Sequence, residues 1–199
     1  MPKKITIKKG LDIPLKGLAN KQCEKIVSSF YSIKPTDFVG VTPKLLVNAG
    51  DFVCIGSALF YSKANERIKF VSPVSGTIVD IKRGEKRIIQ EIIIRDDEKK
   101  EQDNALNPES EHKESIITSL LEAGLWPMIR QRPYHIIANP TDEPQAIFIS
   151  GFDSAPLAPD YDFIAKDKTP QIQAGIDVLK TLTQGRVWLS LRNADSPLN

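Results

Sequence analysis

The sequence predicts a mixed protein, in which a small flattened β-barrel is followed by the start of an α/β domain with a parallel sheet. Three observations predict this architecture: a repeat between residues 47 and 94, a polar stretch after it, and a strand–helix–strand order in the last third. The chain has 199 residues, 41% of them hydrophobic and 26% charged. This composition is typical of an ordinary globular protein with one large or two small domains.

The barrel is predicted from a repeat in which VNAGDFVCIGSALF, starting at Val47, recurs 34 positions later as IKRGEKRIIQEIII. Each copy places a glycine and an acid, Gly50-Asp51 and Gly84-Glu85, at a tight turn between two short apolar strands. Glycine accepts the positive φ that such turns require. Two hairpins that cannot bury a face alone can close a flattened barrel about an approximate two-fold axis. The connector SPVSGTIVDI joins them, and its turn begins at Pro73 and ends at Gly76.

These residues resemble the biotinyl/lipoyl fold, the barrel-sandwich hybrid of swinging-arm carrier domains. A carrier needs a modifiable lysine at the tip of a tight hairpin. The candidate is Lys63 in FYSKANERIKF, which has no Met-Lys-Met and whose loop is predicted to be longer than in carrier domains. A solvated surface lysine is therefore the favoured interpretation.

The rest of the first half predicts strands and an exposed linker. Ile5 and Ile7 alternate with polar neighbours, which is typical of a half-buried strand. Further short strands or an irregular connection are predicted through Phe30 to Val39. The polar run after the barrel predicts a division into a β-rich barrel, an acidic linker and a helix followed by the start of an α/β domain. The ranges are 1–95, 96–107 and 108–199.

The first predicted helix starts at Asn107-Pro108, which combine a side-chain acceptor with proline at the first helical position, and it ends at Gly124. The α/β segment follows with a strand in AIFIS, a second short strand in DFIA, a helix from Thr169-Pro170 to Gly185 and a strand in RVWLSL. A parallel crossover is implied, so the fold class is an incomplete Rossmann-like α/β domain. Because only about one crossover is complete at SPLN, we expect the parent gene to be longer.

The sequence assigns no catalytic, cofactor-binding or metal-binding residue. Cys23 and Cys54 are far apart, so buried or half-buried thiols are predicted rather than a redox pair or a thiolate site. His112 and His135 lack the spacing of metal ligands.

Two stretches could instead hold a ligand. Arg130 and Arg132 beside Trp126 could hold an anionic or aromatic group, although capping and packing at a domain junction is the favoured interpretation. Asp153 follows the AIFIS strand at the position where open α/β sheets place ligand crevices, although an Asx-turn is favoured there.

The charge is unevenly distributed. Residues 1–95 carry seventeen Lys and Arg against eight Asp and Glu, whereas residues 96–114 carry three against eight. A basic module before an acidic connector fits nucleic acid, an anionic lipid surface or an acidic partner. Nucleic acid is the weakest of these, because no basic helix or aromatic platform accompanies the lysines.

Membrane insertion is not predicted. No apolar run approaches the ~20 residues that span a bilayer, and the Lys-rich start lacks the apolar core of a signal peptide. We therefore expect the chain on the cytoplasmic side, with any membrane contact made from the surface.

Five stretches together resemble one family, the NqrA subunits of the Na+-translocating NADH:quinone oxidoreductase of bacterial respiratory membranes. They occur in family order and cover nearly the whole chain. The stretches are IKKGLDIPLKG, KFVSPVSGTIVDIKRGEKR, EAGLWPMIRQRP, AIFISGFDSAPLA and AGIDVLKTLTQG.

The resemblance implies a peripheral subunit on the cytoplasmic side of the inner membrane, in a complex that couples electron transfer from NADH to ubiquinone to Na+ export. It implies a role in assembly and at the quinone-reducing end, with other subunits of the complex and ubiquinone as partners. NAD and flavins are expected on other subunits. EAGLWPMIRQRPYH stands where flavin-binding relatives carry a glycine-rich loop, so we expect no cofactor in this chain and no catalysis by the chain alone.

Two alternatives remain open from the sequence. A soluble subunit of an Rnf-type electron-transport complex would carry cysteines with ferredoxin spacing further along the gene. A lipoyl- or biotin-type carrier module would be modified on Lys63.

Overall fold

The computed structural model describes residues 13, 15–103 and 112–198. The described residues form two compact units, one within 26–143 and one that combines the described parts of 1–25 and 144–199. The predicted strand at Ile5 and Ile7 and the predicted helix start at Asn107-Pro108 lie outside the described residues. The predicted division at residues 95 and 107 stays a prediction.

Strands dominate the unit within 26–143, and the other unit alternates strands with helices. Short 3-10 turns occur at Pro35–Asp37, Glu85–Arg87 and Trp126–Met128. The strands and helices in chain order are β1 Phe30–Ile33, β2 Pro43–Leu45, β3 Phe52–Val53, β4 Ala58–Ser62, β5 Asn65–Val71, β6 Gly76–Arg83, β7 Ile89–Asp96, α1 Lys113–Glu122, β8 Arg130–Gln131, β9 Ile136–Ile137, β10 Ala146–Ser150, α2 Tyr161–Ala165, α3 Thr169–Lys180 and β11 Arg186–Ser190.

The predicted flattened barrel is confirmed. A four-stranded sheet in the order β1-β7-β6-β3 and a three-stranded sheet in the order β2-β4-β5 make up its two layers. In β7 the alternate residues Ile92 and Ile94 are buried, as a period of two requires, whereas β4 buries the successive residues Leu59 to Ser62. The fully buried hydrophobic side chains of this core are Leu59, Phe60, Ile78, Ile92 and Ile94.

Aromatic contacts consolidate the three-stranded sheet. The Phe60 and Phe70 rings stack with centroids 4.5 Å apart, and Phe38 meets Phe70 edge-on at the same distance. Pairs of this geometry stabilise a core beyond the area that they bury.

The two copies of the repeat fold differently. The turn at Gly50 has the expected positive φ of 96°, but it joins β2 to β3, which lie in different sheets. The turn at Gly84 joins β6 to β7, which pair as a hairpin, yet Gly84 has a φ of −94°. The positive φ values there fall on Lys86 and Arg87, because the turn is longer and contains a 3-10 segment. The prediction of a tight glycine hairpin is therefore wrong in both copies. The turn at Gly50 does not join a hairpin, and the turn at Gly84 is not tight.

The junction between the connector and β6 depends on Gly76. This residue has a φ of 152°, and a Cβ built on it would lie 1.9 Å from the Arg95 carbonyl oxygen on β7. Ser75 beside it is fully buried, and its hydroxyl donates to Asp97 Oδ1 at 2.6 Å. The start of β6 is thus fixed against the end of β7.

The α1 segment packs on the barrel. Gly124 follows the helix with a φ of 66°, as predicted for a left-handed C-terminal cap. A Cβ at Gly124 would lie 2.7 Å from both Cγ atoms of Val71, so the glycine also allows close approach to β5.

The second unit contains the predicted parallel pair. Strands β10 and β11 pair in parallel from Ala146 with Arg186 to Ser150 with Ser190. Helix α3 begins at Thr169, with Pro170 in its first turn, as predicted.

Two predictions in this unit are wrong. DFIA is helix α2 instead of a strand, because the Asp160 side chain accepts a hydrogen bond from the Phe163 backbone N–H at 3.2 Å and caps a helical turn. Helix α3 ends at Lys180, before Gly185. Gly185 is needed for space, since a Cβ there would lie 1.7 Å from the Gln145 carbonyl oxygen.

Substitution of Gly76 tests the junction in the barrel. We expect Gly76→Ala to lower the free energy of unfolding by about 1–3 kcal/mol, because the new Cβ forces β6 away from β7 in a backbone region that alanine disfavours. Val79→Ala removes an exposed side chain from the same strand and should cost less than about 1 kcal/mol. Urea unfolding followed by circular dichroism measures both. An alanine at 76 that is no more destabilising than the control would contradict the close contact.

Candidate functional site

A cavity of about 270 Å³ opens at the carboxyl end of strand β10. Parallel sheets place ligand crevices at this end, because the loops that leave the strands diverge there. Its wall includes Asp153, for which the sequence favoured an Asx-turn over a place in a ligand crevice, and Arg192, which lies just after β11. The complete lining is Lys21, Gly151, Phe152, Asp153, Ala158, Pro159, Asp160, Tyr161, Asp162 and Arg192.

Each of the three aspartates of the cavity accepts a hydrogen bond, two from nearby backbone N–H groups and one from a distant serine. Asp153 Oδ1 accepts the Ala155 backbone N–H at 2.8 Å, which is the predicted Asx-turn. Asp160 caps helix α2, and Asp162 Oδ1 accepts the Ser196 hydroxyl at 2.6 Å. These carboxylates therefore shape the loop.

The groups suited to a ligand are cationic and aromatic. Arg192 donates from Nη2 to the Asp153 carbonyl oxygen at 3.5 Å, a long contact that leaves most of its donors for other partners. Phe152 and Tyr161 are exposed aromatic residues, and Lys21 adds a second cation. The cavity can thus take a flat ring that carries hydrogen-bond acceptors. Sequence reasoning missed Lys21, Tyr161 and Arg192, although the position of Arg192 after a parallel strand was a usable signal.

The motif around Trp126 is a packed hairpin. Trp126 is 5% exposed, and its indole N–H donates to the Ala138 carbonyl oxygen at 2.7 Å. Packing is thus confirmed as the role of this tryptophan. Arg132 is exposed, whereas Arg130 is half-buried and its Nη1 has no hydrogen-bond partner among the described residues.

The candidate carrier lysine lies at the tip of a tight turn. Ser62 pairs with Asn65, so Lys63 and Ala64 alone form the turn between β4 and β5. The prediction of a longer loop is wrong. Ser62, Asn65 and Glu66 are polar and look like loop residues in the sequence, but Ser62 belongs to β4 and Asn65 and Glu66 belong to β5. Tyr61 Oη donates to Glu66 Oε1 at 3.2 Å and helps to hold the two strands together.

The two cysteines differ in their surroundings. Cys54 is half-buried, as predicted, whereas Cys23 is exposed. That part of the prediction is wrong, because residues 21–28 are all exposed and offer Cys23 no core. Burial raises the pKa of the Cys54 thiol, and the negative charges of Asp103, Glu101 and Asp97 raise it further.

Metal ligands do not cluster in the part of the chain that the structure describes. No group of three or more His, Cys, Asp or Glu side chains there could hold an ion. His112 precedes helix α1, and His135 is exposed in the turn between β8 and β9. Among the described residues, no helix is long and apolar enough to cross a bilayer.

Comparison with known proteins identifies both parts of the chain. Residues 5–97 match the model of the NqrA N-terminal barrel-sandwich hybrid domain, and residues 111–198 match that of the NqrA second alpha/beta domain. This chain belongs to the NqrA family. It is similar to the NqrA subunits of Na(+)-translocating NADH-quinone reductases, at 33% identity in Vibrio anguillarum, 34% in Vibrio vulnificus and 35% in Serratia proteamaculans.

The similarity extends over most of this chain and less than half of each relative. The two Vibrio matches cover 97% of the chain and 44% of the NqrA relative, and the Serratia match covers 92% and 42%. The resemblance stated from five sequence stretches is thereby confirmed, as is the fold class of a barrel-sandwich hybrid followed by an α/β domain.

The surroundings of Cys54 predict its reactivity. The thiolate is the form that alkylates, so the raised pKa should make Cys54 react with iodoacetamide more slowly in the folded protein than in urea near neutral pH. Asp103→Asn removes the negative charge that raises the pKa of Cys54 most among the three acids, and it keeps an acceptor for the Ser57 hydroxyl. The variant should therefore react faster than wild type in the folded state. Asp37→Asn removes an acidic charge that does not act on Cys54, and this control should react at the wild-type rate. Peptide mass spectrometry over time measures the rates, and equal rates for Asp103→Asn and wild type would contradict this explanation.

Proposed function

We propose that this chain is part of a peripheral subunit of the bacterial Na+-translocating NADH:quinone oxidoreductase, on the cytoplasmic side of the inner membrane. Its role is assembly and a contribution to the quinone-reducing end of the complex. The observation that carries the proposal is the match of both domain models, in order, across 5–97 and 111–198. The names of the relatives supply the activity of the complex.

NADH and flavins belong to other subunits in this proposal, and the chain alone is not catalytic. The stretch that follows α1 supports this assignment. It is folded as a 3-10 turn and the β8–β9 hairpin around the buried Trp126. A phosphate cradle needs successive free backbone N–H groups at the start of a helix, and this hairpin uses its backbone to pair β8 with β9.

Ubiquinone is the proposed ligand of the whole subunit or complex. A quinone ring needs flat apolar walls and donors for its two carbonyl oxygens. The cavity beyond β10 supports the proposal, because Phe152 and Tyr161 offer the walls and Arg192 and Lys21 offer the donors.

The proposal is tested with the whole gene product, tagged in its host and purified from detergent-solubilised membranes. We expect co-purification with other subunits and an NADH:quinone activity that Na+ stimulates. The matched control is the same tag on an unrelated protein of that host. A protein that purifies alone and without activity would contradict the proposal. Cysteines with ferredoxin spacing further along the gene would favour the Rnf-type alternative instead.

A carrier function is a second candidate, favoured by the position of Lys63 in a two-residue turn at a barrel end. If the proposed subunit function is correct, Lys63 carries no attached group. Intact mass spectrometry of protein from the native host, with Lys63→Arg as the control, measures any attached group. An added lipoyl or biotinyl mass that Lys63→Arg removes would establish the carrier function.

A further inference from the structure

The turn that joins β6 to β7 concentrates exposed positive charge at one end of the barrel. Its sequence is RGEKRI, with three cations and one acid in six residues, and all four charged side chains are exposed. Two backbone hydrogen bonds close the turn, from the Gly84 N–H to the Ile88 carbonyl oxygen at 2.8 Å and from the Ile88 N–H to the Glu85 carbonyl oxygen at 3.1 Å. We call residues 83–88 the basic turn, and its cations are Arg83, Lys86 and Arg87.

The three cations of the basic turn are not neutralised by their neighbours. The acid on the adjoining strand, Glu91, is already paired with Lys82 at 2.9 Å, and this hydrogen bond lowers the pKa of the Glu91 carboxyl. The ion pairs found among the described residues do not include any of the three cations. Only Glu85 opposes them within the turn, which therefore has an excess of positive charge.

The opposite end of the same two strands is acidic. Arg83 pairs with Ile89 beside the turn, whereas Gly76 pairs with Asp96 at the far end. We call residues 95–103 the acidic end, since they carry five acids against three cations. The eight residues of β6 separate the two ends by about 23 Å. This is nearly three times the ~8 Å screening length at physiological ionic strength, so a charged surface can contact one end without the other.

An exposed apolar side chain lies within the basic turn. Ile88 is 53% exposed, although the next residue, Ile89, is buried in the core. Segments that bind a membrane surface combine apolar side chains, which enter the headgroup boundary, with Lys and Arg, whose charged ends stay at the headgroups. The composition of the basic turn is of this kind.

The size of the basic turn favours lipid over a protein partner. A specific protein interface buries roughly 800 Å² and 20–30 residues on each side, which is more than a six-residue turn offers. Binding to an anionic membrane needs no such area, because each Lys or Arg near the surface strengthens binding by about fivefold.

We propose that the basic turn is a contact site for anionic lipid headgroups. Its arginines bind lipid phosphates through charge-assisted hydrogen bonds, and Ile88 enters the boundary between headgroups and acyl chains. The acidic end then points away from the bilayer, which orients the barrel. The inference goes beyond the proposed function, because a subunit can be held at a membrane by other subunits alone.

Vesicle sedimentation tests the contact with the purified whole gene product. One set of vesicles contains equal parts of phosphatidylglycerol and phosphatidylcholine, and the other contains phosphatidylcholine alone. We expect binding to the mixed vesicles that weakens as the ionic strength rises toward the physiological value, because salt screens the headgroup charge. Binding to phosphatidylcholine alone should be much weaker. Wild type that binds both sets equally would overturn the proposal.

Two triple variants of equal net charge locate the contact. The variant of the basic turn should lower the partition coefficient on mixed vesicles by at least about tenfold, since three cations leave the lipid surface. The variant of the acidic end should bind as wild type does. The substitutions are Arg83→Gln, Lys86→Gln and Arg87→Gln in the first, and Arg95→Gln, Lys99→Gln and Lys100→Gln in the second. Equal binding by the two variants would contradict a site at the turn.

A variant that gains affinity excludes a folding defect as the explanation. Glu85→Gln removes the acid of the basic turn and should strengthen binding by about fivefold, whereas Glu98→Gln removes an exposed acid of the acidic end and should leave binding unchanged. Ile88→Ser should weaken binding, and Val79→Ser, at an exposed apolar residue of β6 outside the turn, should not. Circular dichroism identical to that of wild type shows that each variant folds.

The outcomes separate lipid from protein and this inference from the proposed function. If the triple variant of the basic turn binds vesicles as wild type does but no longer co-purifies with other subunits, the turn contacts an acidic protein and the lipid proposal is wrong. The proposed function fails only if wild type itself purifies alone and without activity, whatever the vesicles show.

Discussion

The contact between Gly76 and the Arg95 carbonyl oxygen is the constraint on which the barrel depends. Only a residue without a Cβ allows this approach, since a Cβ at this position would lie 1.9 Å from that oxygen. The approach sets the register of β6 against β7, and that register puts Ile78 opposite Ile94 in the core. The α1 segment then packs against β5 through Gly124 and Val71, and the β8–β9 hairpin follows directly from this fixed point.

Local sequence signals predicted most elements of the fold because they report short-range chemistry. Gly124 as a helix cap and Pro170 in the first turn of α3 are both of this kind. Two of the errors arose where partners are distant in sequence, whereas others, such as the reading of DFIA as a strand, overlooked a local cap. The turn at Gly50 looks like a hairpin turn, but β3 pairs with β6, and Gly185 looks like a cap, but the Gln145 carbonyl oxygen requires its missing Cβ.

The candidate site was only partly predictable for the same reason. The position of Asp153 after a strand suggested either an Asx-turn or a crevice residue, with the Asx-turn favoured, and the residue forms that turn beside the cavity. Lys21 reaches the cavity from a remote part of the sequence, which no local pattern reports. The arginine pair in the sequence did not reveal that Arg130 is half-buried and Arg132 exposed, because burial depends on the fold around each side chain.

The central claim is the proposal that this chain is part of a subunit of a Na+-translocating NADH:quinone reductase. Electron cryo-microscopy of the complex, purified from the native host through the tagged whole gene product, tests it most directly. We predict density for the barrel outside the membrane, in contact with a different polypeptide of the complex. A complex that lacks this chain would contradict it.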